Sequence, residues 1–186
     1  MDDSDETAPR RGTGPAIAFR SVRLALHETR PEDADELFYA LTPAVARFMA
    51  WELPVSRAVH RARVVARAAA EDEAGIHLVI RRRADGRCLG AAAVERLDAD
   101  TPEIGLWLRE CAWGRGYGTE AVRALLIWAR KRTGHTSFAW PVAPANAPSV
   151  RLVERLGGKI AGRRRQRRHH SIVYLVPAPA QRIGRQ

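Results

Sequence analysis

Between Trp113 and Thr119 the chain reads Trp-Gly-Arg-Gly-Tyr-Gly-Thr, with glycine at three alternate positions. An apolar run that reads as a strand, Ile104 to Leu108, precedes it. An amphipathic run that reads as a helix, Thr119 to Arg130, follows. A strand that passes into a helix through such a turn belongs in a mixed α/β architecture. The helix start leaves its first N–H groups without intrahelical partners. Together with the helix dipole they make an anion site, most often for phosphate. A tight turn with no ligand has the same spelling, so the loop's surroundings decide between the two.

The rest of the chain supplies those surroundings. Residues 1–18 are rich in Asp, Pro, Gly and Thr and read as a disordered tail. Val22 to Leu26 reads as a strand. Pro31 opens a helix with Ala34, Leu37, Phe38 and Leu41 as its apolar stripe. Ser56 caps a second helix, whose apolar face is Ala58, Ala62, Val65, Ala66 and Ala69. Ile76 to Arg82, Cys88 to Arg96 and Glu103 to Arg109 follow as an antiparallel meander, with Asp85-Gly86 turning between the first two. After the glycine loop and its helix, Gly134 reads as a C-cap and Thr136 to Val142 as a strand. Asn146 to Leu156 reads as a helix with Pro148 in its first turn and Gly157-Gly158 at its end. Lys159 to Arg164 and Ser171 to Val176 are the last strands. The order predicts one mixed α/β domain over 19–177, with a loose tail at 178–186 and about seven strands flanked by four helices.

Bulk properties narrow the function classes. No apolar run approaches the roughly 18–20 residues of a membrane span. The acidic N-terminus lacks the apolar segment of a secretory signal. Cys88 and Cys111 form no motif, which fits a reducing cytoplasm better than a disulfide scaffold or a zinc cluster. The formal net charge is +10, and Lys131 and Lys159 are the only lysines among 31 basic residues. That charge favours polyanionic partners, nucleotide cofactors included.

Two common nucleotide readings of the loop fail on particular residues. A Rossmann fingerprint needs G-x-G-x-x-G and an acid about 20 residues on. Here the spacing is G-x-G-x-G and that region is Arg130, Lys131, Arg132 and Thr133. A P-loop needs Gly-Lys-Ser/Thr, which is absent. A phosphate-bearing ligand held by backbone amides, with no metal, remains, and coenzyme A fits that description.

With these residues in view, the chain resembles the GNAT acetyltransferase superfamily, and within it the RimJ/RimL-type branch. The resemblance rests on Glu103-Ile-Gly-Leu-Trp-Leu, Trp113-Gly-Arg-Gly-Tyr-Gly-Thr-Glu-Ala, Asn146-x-x-Ser149 and Leu156-Gly157, and spans about residues 20–176. It implies a central, mostly antiparallel, twisted sheet with a splay between the strands at 103–109 and 136–142. It implies acetyl-CoA as donor, no metal, and an amine as acceptor. Trp113, Gly114, Arg115, Gly116, Tyr117, Gly118 and Thr119 would hold the pyrophosphate. Trp107 and Leu108 would pair with the pantetheine arm, and Asn146 would bond it. Ser149 falls beside the CoA sulfur. Three departures stand out. Trp113 replaces the Arg or Gln of the broader family, as aromatics do in this branch. Val153 stands where many relatives carry an acid-catalytic tyrosine. Gly158 replaces a packing aromatic.

The chemistry is attack of a neutral amine on a thioester. An α-amine, with pKa ~7.7–8, is substantially neutral near pH 7, whereas a lysine side chain, at ~10.4, is neutral only to about 0.1% or less. An α-amine therefore needs little help from a base. Glu103 is the candidate base, with Gly105 and Trp107 on its strand face, or else an ordinary acid at a strand end, with a water relay as the alternative. Ser149 is a candidate to protonate the departing thiolate, or else a first-turn cap of its helix, and Asn146 has the same alternative. Trp51 and Trp140 read as core aromatics or as acceptor-pocket walls. The six histidines form no catalytic or metal-spaced set.

The expected acceptor is a protein N-terminal α-amine of ribosomal-protein type, with a small-molecule amine, an antibiotic or metabolite, as the alternative. The expected assembly is a monomer or homodimer with no membrane partner. Arg163-Arg164-Arg165-Gln166-Arg167-Arg168 reads as a solvated turn or as a contact for RNA or the ribosome. A catalytically weak CoA-binding module, or an RNA-interacting one, is the reading from another class. The loops expected to choose the acceptor lie near Phe48 to Val55 and Gln166 to His170.

Overall fold

Period-two apolar patterning runs through most of the strands and assembles them into one eight-stranded sheet. The structure is a computed structural model that describes residues 17–69 and 75–180. The strands are β1 (Ile17–Arg20), β2 (Leu24–Glu28), β3 (Gly75–Arg82), β4 (Cys88–Glu95), β5 (Glu103–Leu108), β6 (Ser137–Val142), β7 (Lys159–Arg165) and β8 (His170–Pro177). The helices are α1 (Ala34–Ala40), α2 (Pro43–Ala46), α3 (Arg57–Ala69), α4 (Tyr117–Thr133) and α5 (Ala147–Arg155). In the sheet the order is β1-β2-β3-β4-β5-β6-β8-β7.

Every neighbouring pair is antiparallel except one. β5 and β6, joined by the α4 crossover, run parallel and share a single register pair, Glu103 with Ala139. The Ala139 N–H donates to Pro102 O at 2.9 Å at that join. Past it the strands part, leaving a gap that opens toward Leu108. This is the splay the resemblance implied.

Each face of the sheet has its own core. On one face Leu26, Leu78, Ile80, Val94 and Ile104 pack with Val122, Leu125 and Leu126 of α4, Val153 of α5 and the buried Trp140. On the other, Leu37 of α1 packs with Val79 and Cys88, and Ala91 and Trp107 lie against them. Burial first, and the nearby Glu36 second, push the Cys88 thiol up to about 11, so it behaves as a small apolar group.

Four details differ from the sequence reading. The strand begins at Leu24 and not Val22, because Val22 sits at the tip of a turn and is 85% exposed. Ile17–Arg20 forms an edge strand, so β1 starts two residues inside the segment read as tail; residues 1–16 lie outside the described residues, as do 181–186 of the C-terminal tail. A one-turn helix, α2, is capped by Thr42, whose Oγ1 accepts the Val45 N–H at 3.3 Å. α4 begins two residues early, at Tyr117. The remaining boundaries agree to within about a residue or two, including the Ser56 cap (Oγ to the Val59 N–H, 3.2 Å) and Gly134 in the left-handed region at φ 79.

Candidate active site

The gap between β5 and β6 has two sides, built differently. On the α4/α5 side lies the glycine loop. Gly116 is the N-cap of α4 at φ 77, and Gly114 has φ 69, conformations that glycine adopts at no steric cost. The Glu120 N–H makes the helix's first bond, to Gly116 O at 3.1 Å. The N–H groups of Tyr117, Gly118 and Thr119 therefore stand ahead of that bond at the positive end of the dipole. Residues 113–116 are exposed, Tyr117 is buried, and Gly118 and Thr119 are half-buried.

A clamp missed in the sequence fixes this loop to the β1–β2 turn. Glu120 accepts hydrogen bonds from Ser21 Oγ, the Arg23 N–H and Arg23 Nε, each at 2.7 Å. Arg23 also donates to Arg115 O at 3.0 Å and lies over the Tyr117 ring at 4.5 Å. Burial would raise the Glu120 carboxyl, but these bonds outweigh it and hold it below its ordinary value. Glu120 stands inside the glycine motif, whereas Arg23 is 97 residues away in sequence, so nothing local connects them.

β5 offers an open backbone edge to the gap. Pro102 O is bonded across the join to Ala139, and the Arg109 N–H is bonded to Leu89 on β4 at 2.8 Å. By strand alternation the peptide groups of Leu106 and Leu108 face the gap, and those of Trp107 face β4. The Trp113 indole N–H donates to Leu108 O at 2.7 Å. The free groups nearest the mouth are thus both of Leu106 and the N–H of Leu108. The open edge is the Leu106–Leu108 pair, not Trp107 and Leu108. Trp107 serves the opposite core through its side chain.

α5 completes this side. Asn146 is its N-cap, and Oδ1 accepts the Ser149 N–H at 3.3 Å. The cap uses only that oxygen, leaving the Asn146 NH₂ and the Ser149 hydroxyl without protein partners among the described residues. Gly118 brings α5 close to the loop, with Leu152 within ordinary contact of where its Cβ would stand. Val153 points away into the core at 0% exposure. A Cβ on Gly158 would stand 2.6 Å from Val153 Cγ2, so the two departures at 153 and 158 are one packing solution.

On the α1–α3 side the residues are brought together over long sequence distances. Both oxygens of Glu103 are taken: Oε1 accepts from Arg96 at 2.5 Å, and Arg164 Nη1 lies 2.7 and 2.8 Å from Oε1 and Oε2. The Glu103 side chain is 12% exposed. Arg96 reaches it from a left-handed conformation, φ 57, which costs a non-glycine residue roughly 1–2 kcal/mol. Four residues past Arg164, Arg168 donates to Ala46 O at 3.0 Å and Trp51 O at 3.2 Å. The β7–β8 hairpin is thereby tied both to the closed end of the splay and to the 46–51 loop. At the other end, Thr42 Oγ1 donates to Glu110 Oε1 at 2.6 Å, fastening α2 to the segment after β5. Pro43, Ala46, Glu52, Leu53 and Arg168 then line a cavity of about 330 Å³. Trp51, 36% exposed, stands beside it, while Trp140 belongs to the core.

The basic run is therefore divided. Arg164 and Arg168 are spent on internal contacts, and Arg163, Arg165 and Arg167 are exposed. Among the described residues no helix is long and apolar enough to cross a membrane, and no three His, Cys, Asp or Glu side chains are grouped to hold a metal.

Known proteins share this arrangement. The family model described as acetyltransferase (GNAT) domain matches residues 23–159. A protein of Bacillus licheniformis described as uncharacterized N-acetyltransferase p20 is 28% identical over 139 residues, covering 72% of this chain and 78% of that one. The apo structure of RimL, a ribosomal L7/L12 α-N-protein acetyltransferase, superposes with a TM-score of 0.76 at 18% identity, covering 91% of this chain and 98% of that one. Aminoglycoside acetyltransferase AAC(6')-Ib in complex with coenzyme A gives 0.69 at 17% identity, over 83% and 94%. The splay, the glycine loop at its mouth and the family match over 23–159 lead to one conclusion: this chain belongs to the GNAT acetyltransferase family.

Proposed function

We propose that the chain transfers acetyl from acetyl-CoA directly to a protein N-terminal α-amine in a ternary complex. The observation that carries this reading is the two-sided gap. A glycine loop with free N–H groups and an open strand edge lie beside the parted strands, and we take as the acceptor side the small, partly charged cavity whose walls are tied to Glu110 and to the β7–β8 hairpin. Bound acetyl-CoA supplies the activated thioester. The N–H groups of the 114–119 loop hold its pyrophosphate, with Trp113 and Arg115 at the rim. Leu106 and Leu108 pair with the pantetheine arm as an added strand would, and the Asn146 NH₂ bonds it. The amine nitrogen forms a bond to the acetyl carbon as the C–S bond breaks. Ser149 donates its hydroxyl hydrogen toward the departing sulfur, and the amine's proton restores the balance through water.

Glu103 takes a positioning role in this proposal. Both of its oxygens are engaged by Arg96 and Arg164, so water takes the amine proton, which an α-amine gives up readily. At ~330 Å³ the cavity is at the small end of ligand pockets (~300–1,000 Å³), which suits one terminal residue with the rest of its chain outside. RimL's described acceptor, a ribosomal protein α-amine, is in keeping with this choice. A ribosomal or RNA contact would use Arg163, Arg165 and Arg167, and a salt-titrated RNA-binding assay tests it. The free thiols Cys88 and Cys111 suit a reducing, cytoplasmic setting.

The test is thiol release from acetyl-CoA with purified protein and an acceptor panel: peptides with free N-termini, the same peptides N-terminally blocked, and small amines. Release with free-N-terminus peptides alone is the expected result. Release only with small amines overturns the acceptor assignment, and none with any amine overturns acetyl transfer.

A further inference from the structure

The α1–α3 side carries an unspent carboxylate. Glu103 is paired with Arg96 and Arg164, Asp33 and Glu36 with Arg81, and Glu110 accepts from Thr42 through one oxygen. Glu52 lines the cavity, is exposed, and has no hydrogen bond or ion pair to any described residue. In a chain of net charge +10 a cationic acceptor meets overall repulsion, so a local acid at the cavity wall alters what can enter. Its backbone is not free to drift. The preceding carbonyl, Trp51 O, and Ala46 O are both gripped by Arg168 Nη1, which bridges the two ends of the segment carrying Glu52. The remaining lining is Pro43, Ala46 and Leu53, which are apolar, and Arg168, whose guanidinium is bonded to the Ala46 and Trp51 carbonyls.

We infer that Glu52 is the specificity-determining residue for the acceptor, receiving the amine as its ammonium ion, and that Arg168 is a positioning residue that holds Glu52 at the cavity. The ligand class is the free N-terminus of a peptide whose first side chain is small and apolar, the ammonium at Glu52 and that side chain against Pro43, Ala46 and Leu53. This deepens the proposed transfer to an α-amine and rests on it for the identity of the cavity as the acceptor side. Glu52 attracts the charged amine; the proton leaves to water before attack, so Glu52 acts on binding and not on the reacting bond. The attraction weakens with salt, because the site is open to solvent.

The experiment measures binding, independently of turnover. An Ala-initiated peptide with a free N-terminus and its N-acetylated twin are titrated calorimetrically into the full chain with CoA present. The wild type is expected to bind the free form at least about tenfold tighter, which is roughly 1.4 kcal/mol. Glu52→Gln should erase that difference while leaving CoA affinity and the melting temperature unchanged, and Glu52→Asp should keep part of it. Arg168→Met should erase it too, and Arg168→Lys should retain some of it. A wild type that does not distinguish the twins, or a Glu52→Gln variant that still does, overturns the inference. Full discrimination in Arg168→Met overturns the positioning role. Discrimination without thiol release in the turnover assay would sink acetyl transfer and leave this inference standing.

Discussion

The side of the gap that we assign to the donor is built from neighbours in sequence, and the side that we assign to the acceptor from strangers. Gly114, Gly116, Tyr117, Gly118 and Thr119 make the anion loop from consecutive residues, and Asn146 caps Ser149 three residues away. The acceptor side depends on Arg164 meeting Glu103 across 61 positions, Arg168 meeting Ala46 across 122 and Thr42 meeting Glu110 across 68. Backbone geometry sets the conformation of the first, with the Arg23–Glu120 clamp as its one long-range tie. Long-range side-chain hydrogen bonds, one of them an ion pair, specify the second, so a substitution there loosens whole segments. The donor side should therefore fail by losing its ligand with the fold intact, and the acceptor side by loosening the fold.

Gly116→Val is the strongest expected break. Its φ of 77 is a left-handed conformation that a β-branched residue strongly resists. The loop would rotate its N–H groups off the phosphate position. Acetyl-CoA affinity should fall about 100-fold or more, worth ~2.7 kcal/mol, with the far-ultraviolet circular dichroism unchanged. Unaltered affinity would show that the loop does not bind the donor.

Glu103→Gln tests the other side. It leaves Arg96 and Arg164 without their shared carboxylate. Breaking one partner of a buried pair costs ~3–5 kcal/mol. With Arg96 and Arg164 more than a third exposed, about 2 kcal/mol of unfolding free energy is a reasonable expectation here. Denaturant unfolding gives this number. The kinetic readout separates the two roles: a positioning role predicts a raised acceptor KM with kcat within tenfold, whereas a general base predicts a kcat loss of ~10²–10⁴ at unchanged melting temperature.

This contrast also accounts for what the sequence made legible. Ile104, Leu106 and Leu108 against Val122, Leu125 and Leu126 announced a strand and a helix by period alone, and the glycine spacing announced the turn between them. Asn146-x-x-Ser149 is a local signal and survives as a cap. The edge strand Ile17–Arg20 and the one-turn α2 escaped because four residues carry too little periodicity to read. The resemblance places Trp107 beside Leu108 on the pantetheine arm, a carry-over by motif position that takes no account of which way each peptide faces. The Trp107 peptide faces β4, and Leu106 supplies the open edge. Glu103 was visible as a carboxylate on the correct strand, but its two arginine partners depend on the twist of the β7–β8 hairpin, which no local pattern encodes. The same holds for Arg23 with Glu120.

His77 probes the acceptor side's face by pH. It sits on β3, where burial first, and Arg67 second, push its pKa down to about 4, with the Glu95 carboxylate 4.0 Å from Nε2. Unfolding restores a value near 6.5, so below that pH the unfolded chain binds the extra proton and stability falls as pH drops from about 6.5 toward 4. A loss of about 1–2 kcal/mol by pH 5 is expected from this group, reduced from the full linkage value by the nearby carboxylate. His77→Gln should flatten that part of the melting-temperature profile. A profile equally steep in the variant would assign the acid lability elsewhere.

Ser149→Ala is the smallest expected effect and the sharpest test of the donor side's chemistry. A thiolate leaves without obligatory protonation, so removing the hydroxyl should lower kcat by about tenfold or less, ~1.4 kcal/mol. The cap is kept, because Asn146 Oδ1 accepts from the Ser149 backbone N–H, which alanine retains. The melting temperature and the KM for acetyl-CoA should therefore hold while kcat falls. If kcat also holds, Ser149 is only a helix residue and the sulfur is protonated by water. If stability falls instead, the hydroxyl was serving the fold, and the donor side would prove as dependent on side chains as the acceptor side.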